Sequence, residues 1–196
     1  MKRLTAIMSM CLCLLMLNFS SADAGAVRIA DVGVYNFVQT MRSIVYDMNK
    51  EMVNVAPINI NDAVRATYLD KNYNGYVGYT SKILEKRTNK QKALINFYVN
   101  GQGYISRSNV MLSDIEDSQA SGMVFGVTLI SLGVSQNEYL QFYKRFWNKM
   151  QAAIATNNDD IKYRDSIYCS AKKRYFDLYY YKCTKGHHHV DITGRV

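Results

Sequence analysis

Proline is almost absent from this 196-residue chain: Pro57 is the only one, against 16 tyrosines and 7 phenylalanines. Disordered and low-complexity sequences show the opposite balance, with many prolines and few aromatic residues. No internal repeat and no Ser/Gly-rich linker divides the sequence. The composition therefore predicts a folded chain with one domain and argues against a disordered or fibrous protein.

Histidine is absent from the first 186 residues, and the only three histidines are consecutive, at positions 187–189. Serine and cysteine nucleophiles are usually activated by a histidine base, so this absence argues against both kinds of hydrolase outside the C-terminal segment. The sequence also lacks a phosphate-binding loop, an HExxH zinc motif and a dinucleotide-binding fingerprint. We therefore expect a protein that is not an enzyme, with an exported enzyme that uses a carboxylate-based site as the alternative.

Charge is absent from residues 4–19, a mostly apolar stretch that follows Lys2 and Arg3. Ala22 and Ala24 then supply the small residues that a signal peptidase requires at positions −3 and −1. A positive start, an apolar core and a small-residue cleavage site are typical of a secretory signal peptide. The apolar core is also short for a membrane span. The sequence therefore predicts export.

We expect residues 1–24 to be the signal peptide and residues 25–196 to be the exported domain, which starts at Gly25. If the peptidase instead uses Ala24 and Ala26 as positions −3 and −1, the domain starts at Val27. Ser118–Val134 is a second charge-free run, but serine, threonine and glycine dilute its apolar residues, which favours a buried helix over a membrane span. The predicted location is secreted or periplasmic, without an integral membrane span in the mature chain.

An acidic surplus is also missing, since 24 Lys and Arg outnumber 16 Asp and Glu. Much of the excess lies from Glu138 onward, where eleven basic residues face six acidic ones. An exported basic protein meets anionic envelope polymers and acidic proteins rather than nucleic acid. The expected partner is therefore an anionic envelope component or another protein, and the expected function is a binding domain with an unknown ligand.

Hydrophobic periodicity predicts alternating runs of helices and strands. The N-terminal half is expected to contain a helix over Asp31–Val53, a short helix from Asn61 to Leu69, and strands over Tyr76–Arg87, Ala93–Val99 and Tyr104–Leu112. The C-terminal half is expected to contain helices over Asp117–Leu132 and Gln136–Ala155, strands over Ile161–Tyr168 and Tyr175–Tyr181, and a short polar tail from Thr184. The predicted fold is α+β: an antiparallel sheet, formed by a three-stranded meander plus C-terminal strands, packed by an N-terminal helix and a helical hairpin.

The segment that begins at Asp70 resembles the first half of an EF-hand calcium loop, with the turn glycine at Gly75. The ligands implied by this resemblance are Asp70, Asn72, Asn74 and the backbone carbonyl of Tyr76. The resemblance covers only eight residues, and Ser81 stands where the bidentate glutamate belongs. The same residues also suit a plain turn into the following strand, so the calcium site and the turn are both retained.

The histidine run provides a second candidate metal site. On an extended strand His187, His189 and Asp191 project from the same face, and two imidazoles with a carboxylate suit Zn²⁺. The alternative is a polar tail near the chain end, where backbone often frays. We therefore expect a binding domain without a cofactor, and the alternative is an exported protein that binds calcium or zinc.

An aromatic run flanked by basic residues is the best candidate binding surface, because tyrosine with lysine and arginine is typical of interface and sugar-stacking surfaces. Its residues are Lys172, Lys173, Arg174, Tyr175, Tyr179 and Tyr181. On a strand alternate side chains face the core, so about half of the tyrosines in this run are expected to be structural.

Two cysteines, Cys169 and Cys183, remain after signal removal, and cysteines of exported proteins commonly pair. A tight hairpin over residues 160–183 would instead place the two cysteines at opposite ends, far beyond the Cα separation of about 7 Å that a disulfide permits. The disulfide and the tight hairpin are therefore alternatives. The oxidising compartment favours the disulfide.

Overall fold

The computed structural model describes residues 28–51, 56–70, 76–113, 118–156, 162–182 and 187–195. These residues contain four helices: α1 (Val34–Glu51), α2 (Thr67–Asp70), α3 (Ser118–Ser131) and α4 (Gln136–Ala155). They also contain eight strands: β1 (Ile58–Ile60), β2 (Val64–Arg65), β3 (Val77–Glu85), β4 (Gln91–Val99), β5 (Ile105–Leu112), β6 (Lys162–Cys169), β7 (Arg174–Lys182) and β8 (His188–Arg195).

All eight strands belong to one antiparallel sheet with the order β1-β3-β4-β5-β8-β7-β6, and β2 also pairs with β3. The chain passes from β5 through α3 and α4 to the far edge strand β6, and it returns inward through β7 and β8. This architecture confirms the predicted α+β fold with a meander, C-terminal strands, an N-terminal helix and a helical hairpin.

Helices α1 and α4 form because apolar residues recur at helical spacing along one side of each. The buried residues of α1 are Val34, Phe37, Val38, Met41 and Val45, and those of α4 are Tyr139, Phe142, Phe146 and Met150. Ser135 and Glu138 form a capping box at the start of α4, which begins at Gln136 as predicted. No helix in the described segments has the length and apolar character needed to cross a bilayer.

The core lies between these helices and one face of the sheet. On β4 this face carries Ala93, Ile95, Phe97 and Val99, all of which are buried. Phe37 of α1 meets Phe97 edge to face at 5.7 Å between ring centroids, and Phe125 of α3 meets Phe146 of α4 in the same way at 5.9 Å. Side chains of the helices and of the inner sheet face thus interdigitate in one apolar cluster.

The structure differs from the sequence prediction between Pro57 and Leu69. In place of a helix from Asn61, short strands pair with the outer edge of β3, with Ile58 opposite Glu85 and Val64 opposite Thr80. Local capping signals favoured a helix here, but edge pairing satisfies the backbone of β3 and buries apolar side chains in the core. Only the last residues before Asp70 are helical.

The segment predicted as a polar tail contains β8, which lies in the sheet between β5 and β7. Val190 and Ile192 are fully buried on the helix side of this strand. Pairing with two neighbours therefore holds a segment that sequence position alone suggested would fray.

The predicted Cys169–Cys183 disulfide is not present. Cys169 is a free, buried cysteine whose thiol donates to the carbonyl oxygen of Gly133 at 3.2 Å. Cys183 lies outside the described residues. A tight turn joins β6 to β7, so that Cys169 pairs with Arg174 beside the turn while Tyr181 lies at the opposite end of the hairpin. The hairpin alternative is therefore the one adopted.

Candidate functional site

The sheet face opposite the long helices, here called the open face, carries an unusual concentration of polar and aromatic side chains. Strand β7 shows the division, since Phe176, Leu178 and Tyr180 are buried on the helix side. Alternation along a strand therefore places Tyr175, Asp177, Tyr179 and Tyr181 on the open face. Of the four tyrosines in this run only Tyr180 is buried, so fewer of them are structural than the half that the sequence predicted.

The strand register aligns the open-face residues in rows that run across the sheet. The central row consists of Arg164, Tyr179, Asp191, Asn109, Asn96 and Thr80, each a Cα partner of the next. The row beside it consists of Ser166, Asp177, Thr193, Arg107, Tyr98 and Gly78. Directly opposite residues in an antiparallel pair project from the same face and touch.

A cavity of about 320 Å³ lies over these two neighbouring rows, between β5 and β6, and we call it the central cavity. Its lining residues are Arg107, Arg164, Asp177, Tyr179, Asp191 and Thr193. They come from four strands, so the cavity exists only when the C-terminal strands are joined to the meander through β8.

Asp191 accepts a hydrogen bond on each of its carboxylate oxygens. Arg107 donates from Nη2 to Oδ2, and Asn109 donates from Nδ2 to Oδ1 at 2.7 Å. The Oδ1 atom of Asn109 lies 3.1 Å from Nδ1 of His189. The His189 ring in turn stacks on the Tyr181 ring, with 5.1 Å between the ring centroids. Both oxygens of the buried carboxylate thus have donors, which fixes its orientation at the cavity wall.

Asp177 is held in a similar way from the other side. The Ser166 hydroxyl donates to Oδ1 at 2.5 Å, and Arg195 Nε donates to Oδ2 at 3.3 Å, while Arg164 Nη2 lies 4.0 Å from Oδ2. Burial acts to raise the pKa of Asp177, but these hydrogen bonds and positive charges outweigh it and hold the pKa below its ordinary value. Asp177 is therefore ionised at neutral pH.

The outer part of the site remains accessible. The Arg164 side chain is 70% exposed, and its Nη2 lies 4.0 Å from Oδ2 of Asp177. Tyr168 and Tyr175 are exposed and lie 5.0 Å apart, and Arg195 lies over the Tyr175 ring at 4.8 Å from its centroid. The central cavity is thus bordered by aromatic rings and by a cation that extends into solvent.

The structure separates the predicted binding surface into two parts. Its tyrosines, Tyr175, Tyr179 and Tyr181, lie on the open face. Its basic residues lie at the turn between β6 and β7: Lys172 pairs with Asp31 at 3.0 Å, Arg174 donates to the Arg28 carbonyl at 2.6 Å, and Lys173 is exposed. Lys172 and Arg174 thus contact the segment before α1, and none of the three basic residues lines the central cavity.

The predicted metal ligands are only partly placed. Asp70 is the last residue of α2 and Tyr76 packs against the small cluster of Ala66, Leu69 and Tyr98, whereas Asn72 and Asn74 lie outside the described residues. His189 and Asp191 share the open face, as expected, and His187 is exposed before β8 begins.

The described residues contain no group of three or more His, Cys, Asp or Glu side chains arranged to hold a metal ion. Asp191, moreover, is already occupied by Arg107 and Asn109. Calcium binding and zinc binding therefore stay predictions.

Sequence reasoning missed four residues of the central cavity: Arg107, Arg164, Asp177 and Thr193. Asp177 was within reach, because it shares the face of Tyr175 and Tyr179 by strict alternation. Arg107 was not, because its place beside Asp191 depends on the pairing of β5 with β8.

Comparison with protein-family models, with curated proteins and with solved structures finds no match, so function is inferred from the geometry alone.

Proposed function

We propose that the protein is an exported, non-enzymatic binding domain that holds an acidic polysaccharide of the cell envelope on its open face. The observation that carries this proposal is the central cavity, in which the carboxylates of Asp177 and Asp191 alternate with Arg107 and Arg164 beside the Tyr179 ring.

The mixture of donors and acceptors favours a sugar polymer over other anionic ligands. A sugar hydroxyl both donates and accepts, so it suits a wall that presents carboxylate acceptors next to guanidinium donors. A phosphate polymer or a lipid phosphate group only accepts, and it would face the negative charges of Asp177 and Asp191 without a proton to donate. The Tyr179 ring supplies an apolar surface on which a sugar ring stacks.

The charge of the site favours an acidic rather than a neutral sugar. Arg107, Arg164 and Arg195 stand against two carboxylates, Asp177 and Asp191, which leaves one positive charge. Arg107 and Arg195 are each bonded to one carboxylate, so Arg164 is the cation best placed to meet a ligand carboxylate. Binding at such an exposed cation weakens with salt, because ions screen charges over about 10 Å at 0.1 M.

Export is supported by the sequence of residues 1–24 and has its own test. Mass spectrometry of the protein recovered outside the cytoplasm should find Gly25 or Val27 at the N-terminus. Recovery of the chain with Met1 intact in that fraction would contradict the proposed export.

Binding is tested with polygalacturonate as the acidic probe and dextran as the neutral one, by retention and by calorimetry at low and high salt. Arg164→Gln should weaken polygalacturonate binding about tenfold, since a charged hydrogen bond contributes about 1.5–3 kcal/mol and tenfold is about 1.4 kcal/mol. Tyr179→Ala should weaken it by roughly three- to tenfold through lost stacking. Arg87→Gln, at an exposed turn position outside the cavity, is the matched control.

Binding of polygalacturonate that Arg164→Gln and Arg87→Gln weaken equally would mean that only the overall charge matters. Absence of polygalacturonate binding at low salt would overturn the proposal. Retention on an acidic protein in place of the polymer, lost in Arg164→Gln, would assign the same surface to a protein partner instead.

A carboxylate-based enzyme is the second candidate, because Asp177 and Asp191 line one cavity. They are diagonal neighbours across β7 and β8, so their Cα atoms are about 7–8 Å apart, and a pair of carboxylates at one site is what glycoside hydrolases use. Hydrolysis also needs a protonated carboxyl, and the lowered pKa of Asp177 leaves that role to Asp191, both of whose oxygens already accept hydrogen bonds. Release of reducing ends from polygalacturonate, lost in Asp177→Asn, would establish the enzyme; its absence alongside binding supports the binding domain.

A further inference from the structure

A second cavity, of about 480 Å³, lies near the β1 and β2 edge of the sheet, and we call it the edge cavity. The edge cavity opens at residues 61–63, between β1 and β2. Both strands pair with β3, but the residues that connect them do not. Its lining residues are Arg42, Asn59, Ile60, Asn61, Asp62, Val64, Thr80 and Lys82.

The wall of the edge cavity is fixed by hydrogen bonds that the fold itself supplies. Arg42 donates from Nε to the Ile60 carbonyl at 2.9 Å and pairs through Nη1 with Asp62 at 2.7 Å. The Ser81 hydroxyl donates to the Asn61 carbonyl at 2.7 Å, which holds the connecting segment against β3. The cavity is therefore built before any ligand arrives.

Two groups in the edge cavity have unused binding capacity. The Thr80 hydroxyl oxygen is buried and has no hydrogen-bond partner, although buried hydroxyls are normally satisfied. Lys82 is exposed, and together with Arg42 it gives two cations against the single carboxylate of Asp62. The edge cavity thus has the same excess of one positive charge as the central cavity.

The two cavities lie on one line across the sheet. Thr80 is the end residue of the central row, and the same row continues through Asn96 and Asn109 to Asp191 in the central cavity. From Thr80 on β3 to Asp191 on β8 there are three steps between neighbouring strands, which at about 4.8 Å each span roughly 14 Å, and Arg164 on β6 lies five steps away, at roughly 24 Å.

The residues between the cavities are Asn96 and Asn109, and both are buried, with exposed fractions of 8% and 4%. Tyr181 of the neighbouring row reaches over this line, since Asn109 Nδ2 donates to its hydroxyl oxygen at 3.3 Å. A polymer that spans both cavities therefore passes over the larger side chains that cover these asparagines.

We propose that the edge cavity is a second subsite for the same acidic polysaccharide, so that one polymer chain lies along the central row and occupies both cavities. The proposal rests on the proposed function and adds a length requirement to it. A chain that reaches both sites binds the second one intramolecularly, and such linkage raises affinity by a factor of about 10²–10⁴ without any new kind of contact. A chain shorter than about 24 Å cannot contact Thr80 of the edge cavity and Arg164 of the central cavity together.

The experiment measures the affinity of oligogalacturonates of increasing length by calorimetry. We expect a shallow rise for short oligomers and an increase of at least about tenfold once their length exceeds roughly 24 Å. Lys82→Gln and Thr80→Val should remove this increase and leave the affinity of the short oligomers unchanged. Lys86→Gln, at an exposed position in the turn after β3, is the matched control and should keep it.

A smooth dependence on length without this increase would overturn the inference, as would Lys82→Gln weakening short and long oligomers equally. Short oligomers that bind through Arg164 would leave the proposed function intact in either case. Failure of every oligomer and of polygalacturonate to bind would instead reject the proposed function.

Discussion

Phe146 is the residue whose replacement most directly tests the packing of α4 on the sheet. Its side chain is completely buried. It stacks on Phe142 at 5.2 Å, meets Phe125 edge to face at 5.9 Å, and contacts Tyr163 of β6 at 5.6 Å. Phe146 thus joins α3, α4 and the edge of the sheet.

Phe146→Ala removes this ring and leaves a cavity that three rigid aromatic neighbours cannot close. Emptying a buried phenylalanine site costs about 3–5 kcal/mol, and each favourable ring pair contributes about 0.5–1.5 kcal/mol beyond the area it buries. Because three ring contacts are lost together, we expect a loss of free energy of unfolding near the upper end, about 4–5 kcal/mol. Phe146→Leu fills most of the space and should cost less than half as much.

Urea unfolding, followed by far-UV circular dichroism and by the fluorescence of Trp147, measures these changes. The only tryptophan packs against Tyr143 at 5.7 Å, so its emission reports on the α4 layer. Leu140→Ala on the same helix is the control, because Leu140 is 54% exposed and its loss should change stability by no more than about 0.5 kcal/mol. A loss below about 1 kcal/mol for Phe146→Ala, with an unchanged m-value, would refute the packing described here.

Three further predictions concern the turn, the cap and the sheet edge. Thiol titration of the denatured, unreduced mature protein should find two reactive thiols, from Cys169 and Cys183. A result of no reactive thiols would show that the two cysteines form a disulfide. Hydrogen bonds from Ser170 and Ser135 lower the pKa of Glu138 from 4.5 to about 2. Glu138→Ala should therefore cost about 1 kcal/mol above pH 4.5, a difference that urea melts should show vanishing as pH falls toward 2. Gly78→Ala should cost roughly 1–3 kcal/mol in the same assay, because an added Cβ would lie 2.3 Å from Cβ of Leu69.

Elements that depend on neighbouring residues could be predicted from the sequence. The bounds of α4 agree with the prediction, because Ser135 and Glu138 supply a cap and aromatic residues recur at helical spacing. The meander was also predictable, since turn residues separate runs of strand-forming residues between Tyr76 and Leu112. Both kinds of signal are complete within about twenty residues of sequence.

Elements that depend on distant partners were missed. Residues 58–65 are strands only because β3 has an edge for them to cover. The disulfide was favoured by the expected compartment, which says nothing of geometry, whereas the turn after Cys169 sets where the chain goes next. In each case tertiary pairing outweighed a local or compositional signal.

Strand β8 explains why the candidate site could not be assembled from the sequence. Its alternation is visible in retrospect, with Val190 and Ile192 on the buried side and His189, Asp191 and Thr193 on the other. The strands beside β8 cannot be identified in this way, because β8 pairs with β5, and Asp191 bonds Arg107, which lies 84 positions earlier in the chain.

That single long-range pairing does two things at once. It buries Val190 and Ile192 in the common core, and it brings Asp191 to the guanidinium of Arg107. The stability of the sheet and the formation of the central cavity are therefore coupled. The apolar side of β8 holds the two halves of the sheet together, and this packing places the polar side of β8 as one wall of the central cavity. A change that separates β8 from β5 would remove the cavity even if every residue that lines it were retained.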